Sequence, residues 1–163
     1  MQFSPISILT RFVLVGLATA VSCLHAAESL PTHFRRPVAL QLSQDEHTLI
    51  VANRASGTLS LIDVESRQVS GEFKVAKQLS ALVRIPGRNR LLATDEARGE
   101  LLVIDVAHTP PRVRQRLAVA PYPVSISITA NGKHCVVASL WSRRLTFVDF
   151  SADGSNANVV DTL

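Results

Sequence analysis

The chain has 163 residues, 47% of them hydrophobic, with 17 Lys and Arg against 13 Asp and Glu and a formal net charge of +4. That size permits one domain with a real core, and no low-complexity segment or domain linker interrupts it. Of the two cysteines, Cys23 and Cys135, only the second lies beyond the N-terminal leader, which excludes an internal disulfide and leaves stability to packing.

Residues 1–27 read as a secretory signal. Arg11 precedes an apolar stretch from Phe12 to Leu24, and the small residues Ala26 and Ala27 lead to the first acid, Glu28. The stretch is short for a span of ~20 residues, and no Lys or Arg cluster follows to stop transfer, which disfavours an uncleaved anchor. The cut falls between 22 and 27. Leu24-His25-Ala26 and His25-Ala26-Ala27 are poor small-x-small matches, whereas Ala20-Val21-Ser22-Cys23 is similar to a bacterial lipoprotein box and makes Cys23 a candidate for lipidation. Export to the periplasm, cell surface or medium is expected. Removing residues 1–27 costs one charged side chain, Arg11, so the mature net charge falls from +4 to +3.

The remainder, 28–163, is dominated by a repeat. A strict apolar alternation at Val38-Leu40-Leu42 returns at Ala81-Val83-Ile85 and at Val124-Ile126-Ile128, 43 positions apart each time. A downstream echo, Leu61-Ile62-Asp63, Val103-Ile104-Asp105 and Phe147-Val148-Asp149, recurs at 42 and then 44. A period in the forties made of short alternating runs marks a β-propeller of four-stranded blades. Three units follow, over about 37–78, 79–121 and 122–163.

In chain order each unit predicts a buried first strand (38–42, 81–85, 124–128) and a turn of Gly, Asn, Asp or Ser type. A dense apolar second strand follows, ending at Ala52, Ala93 or Ala138, then a polar hairpin (53–58, 94–100, 139–144). The third strand carries an Asp near its end (59–64, 101–106, 145–150), and a more polar outer strand closes the unit (68–75, 113–119, 159 onward). The alternation predicts that Val38, Leu40, Val83, Val124, Ile126 and Ile128 are buried. Spacing of two and frequent β-branched residues leave no place for helix after the signal.

Ile50-Val51-Ala52-Asn53 followed by Thr58-Leu59-Ser60-Leu61-Ile62-Asp63 resembles the YVTN-type propeller repeat, in which a Tyr-Val-Thr-Asn strand precedes a Val-Ser-Val-Ile-Asp strand. The second unit keeps Ala93-Thr94 and Val103-Ile104-Asp105, and the third keeps Ala138-Ser139 and Val148-Asp149. The resemblance implies a propeller, and propellers close with at least about four blades. Three repeats therefore lead to three expectations: the N-terminal part of a longer reading frame, assembly with other copies, or an open array with sticky faces.

The candidate chemistry is sparse. Asp63, Asp105 and Asp149 recur once per repeat, which points to strand-end residues accepting turn N–H groups rather than to catalysis. His25, His33, His47, His108 and His134 lack metal-site spacing, and Cys135 in its apolar run reads as a buried small hydrophobe. Some proteins similar to this family join the propeller to c-type haem domains, but attachment needs Cys-x-x-Cys-His, which is absent, so haem c would lie only in a missing domain or a partner. Arg112, Arg114 and Arg116 share one strand face and could meet an anion, although an outer strand also carries charge against edge pairing. Without an aromatic platform beside them, nucleic acid is disfavoured. Arg54, Arg98, Arg143 and Arg144 lie in or beside the hairpins between strands two and three, and Trp141 adds an aromatic; these five form the candidate ligand surface.

The resulting expectation is an exported, non-enzymatic binding and scaffolding module for a protein or an anionic surface ligand. It contacts membrane only through its signal or a lipid anchor and self-associates unless further blades extend it. The alternative is the propeller portion of a cell-envelope oxidoreductase whose redox domain lies outside this chain.

Overall fold

The computed structural model describes residues 34–152, 154 and 156–163. The segment expected to be a signal, its expected cleavage position, Cys23, His25 and His33 lie outside the described residues.

Twelve strands form three antiparallel sheets. The first contains β1 (Pro37–Leu42), β2 (Thr48–Asn53), β3 (Thr58–Asp63) and β4 (Val69–Lys74). The second contains β5 (Leu79–Arg84), β6 (Arg90–Asp95), β7 (Glu100–Asp105) and β8 (Arg112–Ala118). The third contains β9 (Pro123–Ile128), β10 (His134–Ser139), β11 (Arg144–Phe150) and β12 (Ala157–Thr162). Each sheet is a meander in chain order, with a register shift between its first and second strands and another between its third and fourth. The described residues contain no helix. The first strands of consecutive sheets run close together while the fourth strands are splayed. This is the radial arrangement of propeller blades around a hub, and the chain is a partial β-propeller of three blades.

Local chemistry sets the turns. In the first blade the Ser43 hydroxyl donates to Asp45 Oδ1 at 2.5 Å, and the His47 N–H donates to the same oxygen at 3.2 Å. The third blade repeats the device with Thr129 and Asn131, at 2.7 Å from the hydroxyl and 3.0 Å from the Lys133 N–H. The second blade uses Pro86-Gly87, with Gly87 at φ 66° and the Arg88 N–H returning to the Ile85 carbonyl at 3.2 Å, the pattern of a type II turn. The N–H groups of Ser43, Ile85 and Thr129 then close the three hairpins on Thr48, Arg90 and His134.

These closing bonds align the blades, and they correct the expected register. Leu42, Arg84 and Ile128 are equivalent, each standing one residue before its closing N–H. The strand-one face Val38-Leu40-Leu42 therefore matches Ser80-Leu82-Arg84 and Val124-Ile126-Ile128, with the spacing of 42 and 44 that the downstream echo shows. The apolar set Ala81-Val83-Ile85 lies one residue out of step and faces the other way.

Each blade turns its Val38-type face toward the blade before it and its opposite face toward the blade after it. Leu82 accordingly packs in the first inter-blade core with Ile50, Leu59, Leu61, Leu91 and Leu102. Ile85 packs in the second with Leu92, Leu101, Val103, Val137 and Val148. No described strand precedes β1, so the expected burial of Val38 and Leu40 fails: Val38 is 43% exposed and Leu40 61%. Val83, Val124, Ile126 and Ile128 are half-buried rather than buried, and Val83, Ile126 and Ile128 pack at the margin of the second inter-blade core rather than within it.

Candidate functional site

The hairpins between strands two and three, and the links from strand four to the next strand one, share one end of the blades. A polar residue closes the second strand in each blade, and all three are buried: Asn53, Asp95 and Ser139. The Asp95 carboxylate accepts the backbone N–H groups of Lys77 at 2.7 Å and Gln78 at 3.1 Å, pinning the link from the first blade. In the third blade Ser139 Oγ donates to the Ala120 carbonyl at 2.8 Å, and the Ala120 N–H donates to Thr146 Oγ1 at 3.2 Å. Asn53 instead donates to Thr58 Oγ1 at 3.1 Å and Ser60 Oγ at 2.8 Å within its own blade. Asp95 and Ser139 thus tie each blade to the link before it, and sequence pattern does not separate them from ordinary hairpin polarity.

Arg54 belongs to the same clamp. It pairs with Glu96 of the second blade, and with the Gln78 amide turned to present its oxygen the guanidinium donates to it at 2.8 Å and 3.3 Å. Arg98, Trp141, Arg143 and Arg144 are exposed, and the three arginine side chains make no hydrogen bond or ion pair among the described residues. Trp141 is 72% exposed, and Leu140 and Tyr122 are exposed beside it, tied by the Leu140 N–H to the Tyr122 carbonyl at 3.1 Å. The third hairpin thus gathers an aromatic and apolar patch with two free guanidinium groups. Its backbone is constrained too, since Arg143 sits at φ 55° where the other hairpins carry Gly57 and Gly99.

The repeated acids divide. Asp63 accepts from the Ser66 N–H at 2.7 Å and hydroxyl at 2.6 Å, and Asp105 accepts from the Ala107 N–H at 3.0 Å. Asp149 departs from this turn role and pairs with His134 Nδ1 across the strands at 2.6 Å. Arg114 pairs with Asp105 at 2.9 Å, while Arg116 pairs with Glu100 at 2.9 Å and donates to the Val75 carbonyl at 2.8 Å, so two of the arginine row bind within the chain. Burial, and then the Asp149 charge, push the Cys135 thiol up to about 12, which keeps it a neutral core group. Among the described residues no group of three or more His, Cys, Asp or Glu could hold a metal ion.

At the opposite end a cleft of about 620 Å³ opens between the first two blades. Ile50, Leu61, Leu91 and Val106 give it apolar walls, and Ser43, Asn89 and His108 stand among its polar residues. Arg84 and Arg88 also line it, and the Nη1 atom of each is buried without a hydrogen-bond partner among the described residues. The sequence reading passed over Arg84 because the one-residue slip assigned it to the polar face of its strand.

Fold and ends together define a propeller-type blade array, and solved structures similar to it bear this out. The hydrazine synthase of Kuenenia stuttgartiensis is similar at 21% identity and a TM-score of 0.67, over 84% of this chain and 38% of that one. A putative 6-phosphogluconolactonase from Bacteroides fragilis is similar at 14% identity and a TM-score of 0.70, over 78% of this chain and 38% of that one. The Swd1 β-propeller domain of Myceliophteria thermophila is similar at 15% identity and 0.61, over 78% and 42%. The chain therefore spans about two fifths of the length of the structures it matches. No protein-family profile matches the sequence, and no curated protein matches it in sequence.

Proposed function

We propose that the chain is an exported, non-enzymatic binding and scaffolding module of the YVTN type, which engages an acidic partner surface through the third blade's hairpin. The observation that carries this is the exposed side chain of Trp141 beside two arginines that no described residue neutralises. Aromatic residues and Arg are the side chains most enriched at binding surfaces, because each supplies a large contact area with a polar handle. The YVTN assignment draws on the unit-one strands from Ile50 to Asp63, and export draws on the layout from Arg11 to Ala27.

Trp141 is the chain's one tryptophan and so reports on its own surroundings. Titration with heparin or polyglutamate is expected to shift its emission, with an affinity that weakens as salt rises. Arg143→Glu and Arg144→Glu should each weaken binding. Unchanged emission with both polymers, or full binding by both variants, would overturn the reading.

A further inference from the structure

We infer that the cleft between the first two blades binds a small organic carboxylate, with Arg84 holding the anionic end. This site lies at the opposite end from the Trp141 hairpin and stands or falls independently of it.

The first ground is the repeat itself. Arg84 occupies the strand-one position that Leu42 and Ile128 fill in the other blades, and Ile128 packs against the second inter-blade core there. Facing the first blade along with buried Leu82, Arg84 meets no such packing, and the cleft opens beside it. A charged group stands where the repeat supplies a hydrophobe.

The second ground is the unmet hydrogen bond. Arg84 makes no side-chain hydrogen bond or ion pair among the described residues, and its Nη1 is sealed from water. Its charge has no counter-ion among the described residues, and a carboxylate entering the cleft supplies one through the guanidinium edge that is not sealed. Arg88 is held differently, donating from Nη2 to the Ala152 carbonyl at 2.7 Å, and adds positive charge at the wall. Asp45 is the acid of the lining, and its Oδ1 is already engaged by Ser43 and His47.

The walls choose among anions. A carboxylate matches the two-pronged guanidinium edge and needs few further donors. Ile50, Leu61, Leu91 and Val106 suit an aliphatic or aromatic body, which a carboxylate can carry and inorganic phosphate lacks. The cleft volume falls within the range of small-molecule sites, ~300–1,000 Å³.

The test is a titration of isotope-labelled full chain with hexanoate, followed by amide and arginine side-chain resonances. Saturable shifts are expected at Arg84 and at the Ser43, Asn89 and Ala107 amides. Arg84→Gln should weaken binding by about tenfold or more, as for a lost hydrogen bond to a charged group, and Arg84→Lys by less. Hexanol, with the same body and no charge, should bind far more weakly, as should inorganic phosphate. Equal binding by Arg84→Gln, or phosphate binding as tightly as hexanoate, would overturn the proposal. Should Arg84→Gln lose its dispersed spectrum, the unmodified chain decides, since shifts centred away from Ser43, Asn89 and Ala107 also overturn it.

Discussion

In the second blade Leu91 and Leu92 point to opposite faces of β6, and both are fully buried. In the first blade Ile50 is buried on one face of its sheet, while Val38, Leu40 and Leu42 are exposed on the other. Both blades have the same four-strand meander and similar apolar content, so composition does not account for the difference. Neighbours do. The second blade is clamped between two others, and the first meets a described blade on one side only. Alternation in a sequence reports that a face is able to be covered, and the partner decides whether it is.

That comparison is open to direct attack. Leu102→Ala, inside the first inter-blade core, should cost roughly 2–5 kcal/mol in urea unfolding. Leu40→Lys should change stability by no more than about 0.5 kcal/mol and should reduce self-association in sedimentation at micromolar concentration. Ile126→Ala, half-buried against the second core, should fall between them. If Leu40→Lys proves as costly as Leu102→Ala, the first blade's outer face is covered in solution and the comparison breaks.

The link between blades supplies the next test. Asp95→Ala removes a buried acceptor from two backbone N–H groups and should destabilise by about 3 kcal/mol. A smaller effect follows from the hairpin tips. Gly57 has φ +62°, and a Cβ there would overlap the Ala76 carbonyl oxygen, so Gly57→Ala should cost more than the ~1–2 kcal/mol of left-handed strain alone. Arg143→Gly, at the corresponding tip, should be neutral or stabilise by up to about 1 kcal/mol. Thermal unfolding of the two variants should therefore move in opposite senses, and a shared direction would show that the tips are not equivalent.

The mildest effect is one of pH. The Ala107 N–H, and then Arg114, hold the Asp105 carboxyl below its ordinary value of 3.8. A carboxyl depressed in the folded state contributes fully above 3.8 and loses that contribution as pH falls through its lowered value. Asp105→Asn should therefore lower the urea midpoint modestly at neutral pH and flatten its fall below pH 3.8, the two chains converging in acid.

All twelve strands were legible in the sequence because period-two alternation and turn residues mark them locally. What was not legible is which face each strand turns to which neighbour. The slip at Ala81-Val83-Ile85 shows why: both faces of β5 are apolar enough to pass for a core face, and a one-residue error exchanges them. The spacing of 42 and 44 in the downstream echo held the correct register. Of the candidate surface, exposed Trp141 and its neighbouring arginines could be read from hairpin position. The role of Arg54 depends on Glu96 and Gln78, some forty and twenty-four residues away, and no local pattern encodes it.

A blade's two faces differ, and the first blade exposes Val38, Leu40 and Leu42 where the third presents Ser125, Ser127, Val136 and Phe147. The two open surfaces are therefore of opposite kind, as plug and socket are. A contact that joins one to the other is heterologous, and its repetition closes into a ring or runs on as a filament. A two-fold dimer would instead set like against like, a pairing that no junction between these three blades uses.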